Sequence, residues 1–287
     1  TFLAFNEFDK LAQRLKSRYG DLDVELPEIA APQSSDAAVP QAEKAPAPAD
    51  SNYVAVQTVD DLKDWVARAY ETGYVAVDTE TTGLDAMQVD LVGVSLSVKA
   101  GEACYIPLAH TVGGAAGVAQ GSFDLGEPAE DMPDAPDQIN IDEALVILKP
   151  MLEDPAVLKI GQNIKYDAMI LSRHGVAIRP MDDTMLLSFV LDAGSHGHGM
   201  DALSKLHLDI VPVPFKEVVG TGKKQITFDQ VPLDEAVRYA AEDADITLRL
   251  HQVLKPRLAQ DKMVTVYETM ERPLSPVLLQ MEMAGVK

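Results

Sequence analysis

The sequence predicts an α/β fold: a central mixed β-sheet flanked by helices, in three layers. Three observations predict it. Tyr74–Val77 is a run of β-branched and small apolar residues, which suits a strand covered on both faces. Short runs of this kind alternate along the chain with segments whose apolar residues recur at helical spacing. Asp90–Val98 and Glu102–Leu108 read as two strands joined by Lys99-Ala100-Gly101, a hairpin that makes part of the sheet antiparallel.

Taken in order, Phe2–Gly20 places Phe2, Phe5, Phe8, Leu11 and Leu15 at helical spacing, with Lys10, Arg14 and Arg18 on the polar side. Ile29–Ser51 is dominated by Ala, Pro, Ser and acids; it cannot bury enough apolar surface to order itself and reads as a linker after a separate upstream unit. A short strand at Val54–Val59 opens the next domain. Thr58 can cap a helix over Asp60–Thr72, where Leu62, Trp65, Val66 and Ala69 share a face and Gly73 ends the run. The strand from Tyr74 carries Asp78 and Glu80 at its end, and Thr81-Thr82-Gly83 turns the chain. After the hairpin, Val112–Gln138 is a long Gly-, Pro- and acid-rich loop. A helix over Asp142–Leu152 and a strand at Val157–Ile160 lead to Gly161, which permits a tight turn, and Asn163, which can cap a helix carrying Asp167. Arg179–Asp192 holds a strand end and a helix opened by Asp183-Thr184. Met200–Leu208 is a short helix, and Phe215–Phe228 a polar connection with glycines. Val231–Leu254 is a long helix with Tyr239 and Asp243, and Met263–Gly285 a last amphipathic one.

The formal net charge is −21. That argues against a basic surface built to grip long duplex DNA. The acids are clustered, however: Asp21–Asp50 holds seven acids and one lysine, and Thr111–Asn140 six acids and no base. A site for divalent cations also accounts for clustered acid, and a few nucleotides at such a site remain compatible with the charge. No apolar run approaches the ~18 residues of a membrane span, and no signal pattern is present, so no membrane partner is expected. Cys104, the single cysteine, excludes an internal disulfide and reads as a small buried hydrophobe.

The chemistry lies in acidic residues at defined spacings. Strand side chains alternate, so Asp78 and Glu80 point the same way. Two adjacent carboxylates repel, more so when buried, and a hard cation such as Mg²⁺ or Mn²⁺ between them resolves it. The triplet alone is weak evidence, since Asp23-Val24-Glu25 matches it too. The full set is stronger. Asp167 follows Gly161-Gln162-Asn163 by one helical turn, and Tyr239 and Asp243 stand four apart on one helix face, with Asp245 on another. Four carboxylates at one sheet edge make sense around cations, and two cations about 3.5–4 Å apart suit in-line attack on a phosphodiester. Other candidates have plainer readings. Asp85 and Asp90 read as solvated turn acids, and His110 as a polar strand end. His196 and His198 lack partner cysteines and i, i+4 histidine spacing, which points to a flexible loop rather than zinc. Lys165, Lys223 and Lys224 meet either phosphate or water.

The runs VDTETTGL, GQNIKYD and YAAEDAD, supported by YIPLAH and GTGKKQITF, resemble the 3′→5′ proofreading exonuclease domains of bacterial DNA polymerase I, a family named for its Asp-Glu-Asp-Asp set with a tyrosine. The resemblance implies a ribonuclease H-like three-layer fold and an exonuclease domain over 53–258. It further implies that 1–27 ends a 5′-nuclease region, that 28–52 links, and that 259–287, with ERPLSPVLLQMEMAGVK, begins a polymerase domain. It assigns Asp78, Glu80 and Asp243 to one divalent cation, and Asp78 with Asp167 to a second. Tyr239 would orient the attacking water. Thr81, Leu84, Gln162, Asn163 and Phe215 would hold the terminal nucleotides, Leu84 and Phe215 against base or sugar faces. The implied partners are a single-stranded DNA 3′ end and the polymerase and 5′-nuclease domains of one longer chain, in a cytoplasmic, nucleoid-associated monomer. The loop 112–138 departs from the family in being longer and more acidic. Two other readings compete: a silent scaffold, which should lack one or more of the four carboxylates, and an RNA-trimming enzyme of the ribonuclease D group.

Overall fold

The computed structural model describes residues 51–111 and 135–285, the side chain of Lys223 excepted. The expected helix at 2–20, the linker and most of the acidic loop lie outside these residues.

The described chain runs β1 (Asn52–Ala55), α1 (Val59–Thr72), β2 (Tyr74–Thr81), β3 (Leu91–Lys99), β4 (Glu102–Pro107), α2 (Ile141–Glu153), β5 (Leu158–Gly161), α3 (Lys165–Arg173), β6 (Met181–Asp183) and α4 (Thr184–Asp192). Then come α5 (Met200–Leu203), which continues as a π-helical turn at Ser204–Leu208, α6 (Phe215–Val219) and the long α7 (Leu233–Gln260). The chain closes with α8 (Val264–Val266), a π-helical turn at Tyr267–Glu271 and α9 (Arg272–Ala284). The segment read as one amphipathic helix is thus interrupted by a π turn, and the polar connection after Phe215 contains a helix the sequence reading did not contain.

The strands form one mixed sheet in the order β1-β4-β3-β2-β5-β6. β2 is central: it pairs antiparallel with β3 and parallel with β5. Its alternation divides the core. Val75 and Val77 face one layer and pack with Leu62 and Trp65 of α1, Leu148 of α2 and Ala168 of α3. Ala76 faces the other layer and packs with Ile160 and with Leu248 of α7. Both faces of the strand are covered, so the Val75–Val77 stretch of β2 is apolar on either side. Its two carboxylates lie where the strand runs out.

Local signals explain the elements. Thr58 accepts a hydrogen bond from Asp61 N at the start of α1, and Gly73 ends that helix in the left-handed conformation with φ 73°. Asn140 caps α2 and Asp183 caps α4. Asn163 does not cap α3. It adopts φ 58°, and the Asp183 carboxylate accepts from the backbone N–H groups of both Asn163 and Ile164 at 2.9 and 3.1 Å. One aspartate from β6 therefore serves the starts of two helices. Cys104 is fully buried, as expected for a small hydrophobe.

Candidate active site

The carboxyl end of β2 opens into a cleft of about 840 Å³. Asp78, Glu80, Asp167, Tyr239 and Asp243 all line it, as do Thr81, Leu84, Gln162, Asn163 and Phe215. The structure thus brings to one place every residue singled out from the sequence for catalysis or nucleotide contact.

The carboxylates reach it from opposite sides of the sheet. Asp78 and Glu80 share the β2 face that looks at α7, and Asp243 comes down from α7. One oxygen from each of these three lies within 4.8 Å of the others. Asp167 arrives from α3 in the other layer. Its Oδ1 accepts from Thr79 N at 2.9 Å and Thr79 Oγ1 at 2.6 Å. Thr79 points away from Asp78 and Glu80, so it can grip Asp167 without competing for the trio. The β2–β3 pairing shifts register between Glu80 and Thr81.

Electrostatics then test whether divalent cations fit. Glu80 and Asp167 are almost fully buried. Burial first, and the neighbouring acids second, push Asp78, Glu80 and Asp167 well above the ordinary carboxylate range. Burial likewise pushes Asp243 up to about 8, against a lowering hydrogen bond from Tyr239. No lysine or arginine is among the described residues lining the cleft. Hard oxygens, mutual repulsion and no protein counter-charge are the donor set that a divalent metal satisfies, and these acidic groups can bind one.

An aromatic wall closes one side. Phe215 stacks on Phe228 with ring centroids 6.3 Å apart and planes 5° apart, and both rings meet Tyr239, at 5.7 and 5.9 Å. Behind them His110 is buried rather than a polar strand end. Its Nδ1 meets the Val231 carbonyl at 3.2 Å and its Nε2 the Tyr105 hydroxyl at 2.8 Å. An Nδ1–H therefore donates to Val231, and Nε2 accepts from Tyr105. Gly93 stands opposite Glu80, and a Cβ there would collide with the Tyr105 phenol ring.

A model of the 3′-5′ exonuclease family matches residues 53–259. The chain belongs to that family. The exonuclease is 48% identical over 245 residues to DNA polymerase I of Rhizobium leguminosarum, covering 82% of this chain and 23% of the relative. It is 41% identical over 244 residues to DNA polymerase I of Pseudomonas aeruginosa, covering 84% and 24%. The chain spans about a quarter of the length of these curated relatives. Solved structures give the fold. Brucella melitensis NrnC matches with TM-score 0.54 at 23% identity, covering 76% of this chain and 88% of that one. Escherichia coli RNase D matches with TM-score 0.53 at 16% identity, covering 82% and 52%. The exonuclease accordingly has a ribonuclease H-like fold.

Within the exonuclease, the nucleotide-contact candidates differ in what they have free. Leu84 is 92% exposed and Phe215 43%, so both offer apolar faces to the cleft. Asn163 is exposed at the start of α3. Gln162 is engaged internally: its amide nitrogen donates to the His198 carbonyl at 2.8 Å, and its amide oxygen accepts from Thr184 Oγ1. The Thr81 and Tyr166 hydroxyls meet at 2.7 Å. Tyr166, Thr79 and Phe228 are site-forming residues the sequence reading missed. Tyr166 lies inside the run GQNIKYD, Thr79 between the two acids, and Phe228 at the end of GTGKKQITF. Asp85 is a turn acid as expected, accepting from Met87 N at 3.1 Å. Lys165 is partly exposed and pairs with Glu282 of α9. Lys224 is exposed.

Proposed function

We propose that this exonuclease removes nucleotides from the 3′ end of single-stranded DNA and releases nucleoside 5′-monophosphates, as the editing module of a DNA polymerase. The observation that supports this most is the convergence of four carboxylates from β2, α3 and α7, Glu80 and Asp167 buried and Asp78 and Asp243 partly exposed, beside an exposed aromatic and aliphatic wall. Asp78, Glu80 and Asp243 would hold one divalent cation, and Asp78 with Asp167 a second. Cations held there would make water more acidic and offset charge on the scissile phosphate and the departing 3′ oxygen.

The chain's own residues do the rest. Burial, and next the Asp243 charge, push Tyr239 far above its ordinary range, so it remains a neutral phenol at working pH. It orients the attacking water by hydrogen bonding and does not take its proton. Thr79 keeps Asp167 facing the trio. Leu84 and Phe215 pack on base or sugar faces, which is tolerant of sequence and worth about 1–3 kcal/mol per stacked base. Asn163 supplies a free polar group, while Gln162 and Thr81 hold the rim.

The longer chain would place a 5′-nuclease region before residue 28, a linker at 28–52 and a polymerase domain after 258, in a cytoplasmic, nucleoid-associated monomer. Among the described residues no helix is long and apolar enough to cross a membrane. A 5′-labelled single-stranded oligonucleotide incubated with Mg²⁺ tests the activity: a ladder shrinking from the 3′ end, abolished by chelator, is the expected result. The likeness to Escherichia coli RNase D favours a second reading, RNA trimming. Competition between matched RNA and DNA oligonucleotides separates the two, and the sequence relatives favour DNA.

A further inference from the structure

A second cluster of ligand-bearing side chains lies outside the carboxylate cleft. Asp192 ends α4, His196 sits in the following loop, and His207 lies on the π-helical turn after α5. One ligand atom from each falls within 4.8 Å of the other two. His196 Nε2 is 3.8 Å from Asp192 Oδ2, and the two imidazole rings are 5.9 Å apart between centroids. The Nε2 atoms of His196 and His207 are both sheltered from solvent, and neither has a hydrogen-bond partner among the described residues.

Tautomer explains why one of these nitrogens is bare. His196 Nδ1 lies 2.9 Å from the Gly197 carbonyl, which can only accept. The proton therefore sits on Nδ1, and Nε2 presents a lone pair toward Asp192 and His207. An imidazole whose far nitrogen donates to a carbonyl is oriented as metal-ligating histidines usually are. A sheltered lone pair without a donor is unfavourable, and a cation removes that cost.

We propose that Asp192, His196 and His207 form a site for Zn²⁺ or a similar borderline transition cation, separate from the carboxylate centre. Two imidazoles and one carboxylate suit such a cation and discriminate against Mg²⁺, which prefers oxygen. Tetrahedral coordination at Zn–N distances near 2.0–2.1 Å needs ligand atoms about 3.3 Å apart, so the side chains close by roughly an ångström. Three protein ligands leave a fourth position for water. Arg257 grips Asp192 with both guanidinium nitrogens, at 2.8 and 3.0 Å. Each carboxylate oxygen keeps a second lone pair, so Arg257 fixes the direction of the carboxylate while its charge lowers the affinity.

The position has a consequence for the cleft. The loop that carries His196 also carries His198, whose carbonyl holds the Gln162 amide and whose Nδ1 meets Ser188 Oγ at 2.8 Å. A cation bridging α4, this loop and the π turn would fix that rim.

Calorimetric titration of the chain with Zn²⁺, in millimolar Mg²⁺ to fill the carboxylate centre, tests the site. One equivalent should bind and raise the melting temperature. His196→Ala and His207→Ala should each weaken that binding by roughly tenfold or more, while Asp243→Ala leaves it in place. Mg²⁺-supported cleavage by the histidine variants verifies that they fold. Co²⁺ in place of Zn²⁺ should give the visible absorption of a nitrogen-ligated tetrahedral ion. Unchanged Zn²⁺ binding in both histidine variants would overturn the proposal, as would loss of the binding in Asp243→Ala alone. So would absence of a tight equivalent in the parent chain.

Discussion

Asp167 depends on a neighbour that carries no charge. Thr79 gives it two hydrogen bonds, one from the backbone and one from the hydroxyl, from the strand face opposite the other acids. Thr79→Val removes the second and leaves the first, so turnover should fall by roughly ten- to a hundredfold with little change in KM for an oligonucleotide. Asp243→Ala should abolish monophosphate release with the fold intact by circular dichroism, whereas Tyr239→Phe should slow turnover less than loss of any carboxylate. The acids also set a pH dependence. Asp243 rises to about 8 through burial, and burial likewise raises Asp78, Glu80 and Asp167. A carboxylate raised in the folded state supports folding below its unfolded value of about 4 and loses that support as pH climbs through the folded value. In chelator, the melting temperature should therefore fall between about pH 5 and the Asp243 value of about 8. Mg²⁺ should restore most of it at the upper end. A flat profile in chelator would mean the acids are not strained by one another.

At the scale of the elements, what could be read in advance was what is local. Period two put Asp78 and Glu80 on one face, and a four-residue step put Tyr239 beside Asp243. The covered strand, the hairpin and the capped α1 follow from their own residues. What was not legible depends on partners distant in the chain. That Asp167 comes from the opposite layer is a property of how α3 and α7 straddle β2. The sequence offers Asn163 as the cap of α3, but Asp183 supplies it from twenty residues on. The histidine loop read as free because its partner His207 lies beyond the next helix, and because the i, i+4 partner of His196 is an aspartate. The hairpin itself offers a test. Gly93→Ala places a Cβ in collision with the Tyr105 hydroxyl oxygen and the ring carbon that bears it. Tyr105 is wedged against His110 and Phe228 and has nowhere to move, so the variant should lose about 1–3 kcal/mol in denaturant unfolding and loosen the aromatic wall.

Across the whole molecule, one buried charge joins the sheet to the last helices. Asp182 of β6 is 1% exposed and faces His251 and Lys255 of α7 at 2.8 and 3.0 Å, Arg272 of α9 at 3.1 Å and the Tyr267 hydroxyl at 3.2 Å. Burial alone would raise Asp182; the His251 hydrogen bond and the cations outweigh it and hold the acid at about 2. Its contribution is present above the ordinary value and is lost as pH falls from about 4 toward 2. Asp182→Ala strands these donors and should cost about 3–5 kcal/mol in chemical denaturation.

That no lysine or arginine lines the cleft among the described residues has a bearing on ionic strength. Proteins that hold strands through basic side chains release condensed counterions on binding, and their affinity drops steeply with added salt. Here the chain brings anions to an anion, so that entropy is missing. Binding of a short oligonucleotide to this chain alone, with divalent ion held constant, should vary little as potassium chloride is raised. A steep decline would reveal cationic surface supplied by residues outside the cleft.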